Sequence, residues 1–187
     1  MTVTIRPATI DDFDVVLVLN SICFPSPQEN MSVDDCSSFL ESHFYVAETT
    51  EDKEEKSVVG FICGSSKSRW KYPTIMKHNE AMIVKIGVSP AYRKQGIASR
   101  LLQHVESVLK EQAKCPTIWL QVRESNTVAQ NVYKKFGLVE QQRFHYYSDY
   151  EDSTANTIAG EKAILMCKTI TYNISVSNLE HVDDVDL

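Results

Sequence analysis

The stretch best suited to chemistry is Arg93-Lys94-Gln95-Gly96-Ile97-Ala98-Ser99. It follows an apolar run and precedes a segment of helical periodicity. A helix N-terminus carries backbone N–H groups without intrahelical partners and the positive end of the macrodipole. Both favour an anion, phosphate above all. Arg93 and Lys94 add positive charge, Gly96 has no side chain to hold a ligand off, and Ala98 has only a methyl group. The pattern is not a Walker A loop, which needs Gly-Lys-Ser/Thr, nor a Rossmann Gly-x-Gly-x-x-Gly. An ordinary strand-to-helix turn with a basic surface is the alternative.

The elements around this turn must hold it rigidly. Met82, Ile83, Val84, Ile86 and Val88 read as a buried strand that Ser89-Pro90 ends. Leu101, Leu102, Val105, Val108 and Leu109 recur at helical spacing, and the helix is expected to run to about Gln112. Upstream, Val3–Arg6 reads as a strand, 11–22 as a helix, and Ser32 as the cap of a short helix to about Glu41. Phe44–Glu48 and Val58–Gly64 read as a hairpin. Downstream, Ile118–Val122 reads as a strand. Ser125-Asn126 caps a helix with Val128, Ala129, Val132, Tyr133 and Phe136 on its inner face, and Gly137 ends it. Leu138–Tyr147 and Ala163–Cys167 complete the strands.

With 187 residues, 43% hydrophobic and 24% charged, the chain suits one globular domain with a sizeable core. A formal net charge of -6 argues against a general nucleic-acid footprint. The basic, aromatic segment at 65–79 is read as a connection beside the acceptor site. The five cysteines form no Cys-x-x-Cys pair and suit reduced, mostly buried thiols. No spacing suggests a metal site. No signal-like N-terminus or membrane-spanning run is seen, so the expected location is cytoplasmic, with the nucleus as an alternative. The domain is expected over 1–170. Residues 171–187, with four acidic residues and no Lys or Arg, read as a flexible tail.

Arg93-x-x-Gly96-x-Ala98 after a strand resembles the acetyl-CoA pyrophosphate loop of the GNAT superfamily of N-acetyltransferases. The element order β-α-α-β-β-β-α-β-α-β-β is similar to the fold of that family over about residues 3–168. That implies an α/β domain with a mixed central sheet of about seven strands flanked by about four helices. Ser125-Asn126-x-x-Ala129-x-x-x-Tyr133-x-x-Phe136-Gly137-Leu138 resembles a second family segment. The resemblance implies that Asn126 contacts the cofactor arm and that Tyr133 lies near the acetyl-CoA sulfur as the acid for the leaving thiolate. It also implies a central strand that parts from its neighbour, with backbone groups around Ile86 and Val88 meeting the cofactor. From spacing alone Tyr133 would be a core tyrosine. Phe24-Pro25, Tyr146-Tyr147 and Glu161-x-Ala163-x-x-Met166 resemble stretches of protein N-terminal acetyltransferase catalytic subunits of the NatE, NatF and NatA types. Phe24, Pro25, Tyr146 and Tyr147 would then contact the acceptor peptide.

The implied reaction moves acetyl from acetyl-CoA to a primary amine, most simply the α-amine of a protein or peptide N-terminus. An α-amine has a pKa of about 7.7–8.0, so part of it is neutral near pH 7. One departure from the family matters. NatE-type enzymes place a Tyr and a His where this chain has Met82 and Gln121, and neither can serve as a base. Glu80, two residues before Met82 on the same strand face, and Glu29, close to where the NatA-type glutamate falls, remain as candidate bases, with His78 and His145 weaker. For each carboxylate, plain solvation at the surface is the competing explanation. A small-amine acetyltransferase acting on a polyamine or arylalkylamine, or a non-catalytic acetyl-CoA-binding subunit, are the competing readings. An auxiliary subunit or association with the ribosome is the implied partnership.

Overall fold

The computed structural model describes residues 2–26, 29–51, 55–65, 80–113, 117–145 and 162–171. Seven strands form one sheet: β1 (Thr2–Pro7), β2 (His43–Glu51), β3 (Glu55–Ser65), β4 (Ala81–Val88), β5 (Thr117–Arg123), β6 (Val139–His145) and β7 (Lys162–Thr169). Four helices flank it: α1 (Phe13–Cys23), α2 (Val33–Leu40), α3 (Ile97–Val108) and α4 (Thr127–Phe136). The strand order is β1-β2-β3-β4-β5-β7-β6. Every pair is antiparallel except β4 with β5, which run parallel. This is the α/β, mixed-sheet, single-domain architecture expected from the sequence.

Strand alternation sorts the core into two layers. Tyr45, Ala47 and Ile62 pack with Ile97, Leu101, Leu102 and Val105 of α3 and Tyr133 of α4. Phe44, Val46, Phe61 and Cys63 pack instead with Phe13, Val16 and Leu19 of α1 and with Cys36 and Phe39 of α2. So α3 and α4 cover one face and α1 and α2 the other. Leu101, Leu102 and Leu109 are fully buried. Each such side chain contributes about 1.5–3 kcal/mol. That anchoring holds the N-terminus of α3 in place. It also offsets the roughly 1–2 kcal/mol of strain at Lys94, a non-glycine residue at φ 61° in the turn before the helix.

Local signals behave as their chemistry dictates. Ser32 caps α2 by accepting from the Asp35 N–H at 3.1 Å, and Asp35 reaches back to the Ser32 N–H at 2.8 Å. Asn126 caps α4, accepting from the Ala129 N–H at 3.1 Å, and Gly137 closes it at φ 97°. The regular part of α3 stops at Val108, and a wider turn over Leu109–Ala113 takes the chain on. One face assignment is corrected. Val128 is 75% exposed, and Gln130 is buried on α4 along with Tyr133. The Gln130 amide donates to the Arg123 and Glu124 carbonyls at 3.2 and 2.8 Å, which draws this polar residue inward and turns Val128 out. Cys36, Cys63 and Cys167 are buried thiols and Cys23 is half-buried; all four are unbridged. The 65–79 connection beyond Ser65, Cys115, Glu161 and the tail past Thr171 lie outside the described residues.

Candidate active site

The two parallel strands at the centre of the sheet part company. β4 and β5 pair only at Ala81↔Ile118, Met82↔Trp119 and Ile83↔Leu120. Beyond that, β4 continues to Val88 and β5 to Arg123 with no pairing between them. A bulge sits at the same point. The β3–β4 register steps from Gly64↔Ile83 to Cys63↔Lys85, leaving Val84 without a partner. Gly64 permits this close approach, since a Cβ there would lie 2.5 Å from the Met82 carbonyl oxygen.

Register shows where the free backbone of β4 points. The Ser89 N–H donates to the Val59 carbonyl at 2.8 Å. Alternation along an antiparallel pair then makes 61/87 a hydrogen-bonded pair and 60/88 and 62/86 non-hydrogen-bonded pairs. The N–H and C=O groups of Ile86 and Val88 therefore face away from β3, into the gap that β5 leaves. The Val88 carbonyl accepts from Arg93 Nε at 3.0 Å. Arg93 thus fastens the end of β4 to the turn, and its Nη2 lies 3.8 Å from Cys23 Sγ.

The turn opens directly onto this gap. Gly96 is the N-cap of α3 at φ 79°, and no side chain caps the helix. An added Cβ at Gly96 would meet nothing within 4 Å. The uncapped N–H groups of α3 thus front open space beside exposed Arg93, Lys94 and Gln95, while Ala98 and Ser99 are half-buried in the first turn. These residues fit a diphosphate, and the unpaired edge of β4 fits an extended amide-bearing arm, as the pantetheine of acetyl-CoA would supply.

Tyr133 comes from α4 on the same face as α3. It is buried, and its hydroxyl has no hydrogen-bond partner among the described residues. Burial pushes its phenol well above the ordinary tyrosine range, so it keeps its proton. On the opposite face, Met82 and Val84 of β4 pack with Trp119 of β5, and Lys85 reaches the loop after α1. Phe24 is half-buried beneath Lys85, whose Nζ stands 4.5 Å from the ring centroid, while Pro25 is exposed. Tyr146 and Tyr147 lie outside the described residues.

The two carboxylates differ sharply, and neither is simply solvated. Glu80 is 8% exposed and accepts from the Trp119 indole N–H at 2.9 Å. It lies on the closed side of the β4–β5 junction, four residues before Val84, or about 13 Å along an extended strand. Glu29 lies at the open side. Its carboxylate is 2.6 Å from Arg123 Nη2, and its carbonyl accepts from Lys85 Nζ at 2.6 Å and Asn20 Nδ2 at 3.2 Å. The sequence assigned no role to Lys85, which belongs to no motif, or to Arg123, which only precedes Ser125-Asn126 in the second family segment. The available signal was a lone charge inside the apolar run Ile83–Val88. Burial lowers the Lys85 pKa below the ordinary lysine value, with the Glu29 carboxylate opposing that shift.

The sequence matches the acetyltransferase (GNAT) family over residues 14–138, and the chain belongs to that family. It is an acyltransferase of the GNAT fold. It is 32% identical over 156 residues to the N-alpha-acetyltransferase of Sulfurisphaera tokodaii, across 80% of this chain and 88% of that protein. It is 34% identical over 94 residues to the ribosomal protein bS18-alanine N-acetyltransferase of Escherichia coli, across 50% of this chain and 58% of that protein. Among solved structures, Ard1 from Thermoplasma volcanium superimposes with a TM-score of 0.69 at 26% identity, covering 92% of this chain and all of that one.

Proposed function

We propose that this enzyme transfers acetyl from acetyl-CoA to the N-terminal α-amine of a protein or peptide. The observation that carries this reading is the parting of β4 and β5 after Ile83, bounded by the uncapped turn at Gly96 on one side and by Glu29 on the other. Acetyl-CoA, when bound, supplies an acetyl group activated as a thioester. Arg93, Lys94, Gln95, Gly96, Ala98 and Ser99 hold its phosphates, and Ile86, Val88 and Asn126 hold its arm. The Ile86 and Val88 N–H groups are fixed donors whose orientation costs nothing at the moment of reaction.

Glu29 accepts the proton of the acceptor amine, directly or through one water. Its place on the open side favours it over Glu80, whose role is to bind Trp119 and keep the back of the cleft closed. The Tyr133 proton is directed at the leaving sulfur. A phenol raised far above a thiol pKa of about 8.5 serves that sulfur as a hydrogen-bond donor rather than by complete transfer. Phe24 and Pro25 border the acceptor backbone, a role that the family resemblance also implies for Tyr146 and Tyr147, which lie outside the described residues. The N-alpha-acetyltransferase and ribosomal-protein acetyltransferase relatives support protein N-termini as acceptors. Newly made chains in the cytoplasm are the natural supply, with an auxiliary subunit or the ribosome as the partner that delivers them.

The test offers acetyl-CoA with short peptides of varied first two residues, their N-terminally blocked versions, spermidine and tryptamine. Acetylation of free N-termini is expected. Turnover of the two small amines alone would move the enzyme to the small-amine class, and tight acetyl-CoA binding without turnover would make it a binding subunit.

A further inference from the structure

We propose that Lys85, with Arg123, selects acceptors that carry a carboxylate side chain in one of their first two residues. The inference rests on the N-terminal reading above and adds a substrate class to it. Lys85 is the first β4 residue after the Val84 bulge, at the point where β5 has let go. The bulge puts it on the face of α1 and its following loop, where it is half-buried between Phe24 and Glu29. Among the described residues its contacts are the Glu29 carbonyl and the face of the Phe24 ring, neither of which carries a formal charge. The carboxylate of Glu29 is already engaged by Arg123 at 2.6 Å, and that of Asp35 is held in the cap at Ser32.

Four ionised groups therefore act at the mouth, Lys85 and Arg123 against Glu29 and Asp35, and of the two cations Lys85 is the one whose charged atom makes no direct contact with a carboxylate among the described residues. Glu80 lies behind Trp119 at the closed end. An attacking α-amine must be neutral, and neighbouring cations favour its neutral form. The Lys85 ammonium, held by the neutral Glu29 carbonyl and the Phe24 ring, leaves an ion-pair position that the acceptor can fill with a carboxylate of its own. Geometry limits which one. Successive strand residues are about 3.3 Å apart, so an amine lodged at the gap beside Val84 brings only the first or second acceptor side chain near Lys85.

The experiment compares kcat/KM for peptides that differ only by Glu against Gln, or Asp against Asn, at the first or second residue. Free glutamate, spermidine and tryptamine are run alongside. The native enzyme should prefer the acidic peptide by about tenfold or more at one of these positions, as a charge-assisted contact allows. Lys85→Met should bring the ratio towards one, Lys85→Arg should keep most of it, and rising salt should shrink it in the native enzyme and in Lys85→Arg but not in Lys85→Met. Lys85→Met should fold, because Asn20 still donates to the Glu29 carbonyl. An unchanged acetyl-CoA thermal shift would verify this, and Arg123→Gln is the second variant. Acetylated peptides with equal rates for Glu and Gln, or a preference that survives Lys85→Met, would overturn this inference and leave the N-terminal reading standing. Turnover of free glutamate or the amines with no peptide acetylated would overturn both.

Discussion

Substitution of Gly96 separates the phosphate reading of the turn from a purely structural one. Gly96 sits at φ 79°, so any other residue there is strained by about 1–2 kcal/mol. For a protein of this size each kcal/mol lowers Tm by roughly 2–4 °C, so Gly96→Ala should melt about 2–8 °C below the native enzyme. The added Cβ meets nothing within 4 Å, so packing imposes no further cost. Gly96→Trp carries the same backbone strain and also fills the open space in front of α3. The two variants should therefore share a similar Tm and differ in affinity. Calorimetric titration with acetyl-CoA should show Gly96→Ala weakened by about tenfold, worth about 1.4 kcal/mol, and Gly96→Trp with no measurable binding. Native affinity in Gly96→Trp would refute the assignment of the turn.

Other perturbations address the chemistry and the scaffold. Tyr133→Phe should lower turnover while leaving acetyl-CoA affinity and Tm nearly unchanged, since the hydroxyl has no partner among the described residues; unaltered turnover removes its role at the sulfur. Glu29→Gln should reduce kcat by about 100-fold or more, and Glu80→Gln by less than tenfold, in steady-state assays; the reverse order would make Glu80 the base. Asp12 accepts from Arg6 at 2.8 and 2.9 Å and from the Thr9 N–H at 2.8 Å, and these contacts hold its carboxyl below the usual value. Its contribution is then present above the unfolded pKa and lost as pH falls through the folded one. The stability gap between the native enzyme and Asp12→Asn should be full at pH 7 and close below about pH 4 in denaturant melts. A gap independent of pH would reject the ion pair as its source.

The elements were legible where local chemistry decides. Ser32, Asn126 and Gly137 acted as caps because their side chains or backbone freedom satisfy orphan groups, and the leucines of α3 faced the sheet because their spacing matches the helix. The turn at Arg93–Ser99 was readable for the same reason. Long-range facts were not. That β4 leaves β5 after Ile83 depends on pairing between distant strands, and the Val84 bulge that turns Lys85 to the acceptor face leaves no local mark. The Arg123–Glu29 pair joins residues far apart in sequence. Gln130 is polar yet buried, because two carbonyls at the end of β5 need its amide, and that moved the inner face of α4 away from Val128. Glu80 and Glu29 looked alike in the sequence, and only the fold separates a carboxylate behind Trp119 from one at the mouth.

The most direct measurement uses a conjugate in which the α-nitrogen of a short peptide is joined through an acetyl linker to the sulfur of coenzyme A. Calorimetry compares it with coenzyme A alone. The account predicts that the conjugate binds at least about tenfold more tightly, because its peptide lies along Phe24, Glu29 and Lys85 while its cofactor half fills the gap between β4 and β5. Equal affinities would mean that the peptide touches nothing, and would contradict an acceptor site for protein N-termini on this face.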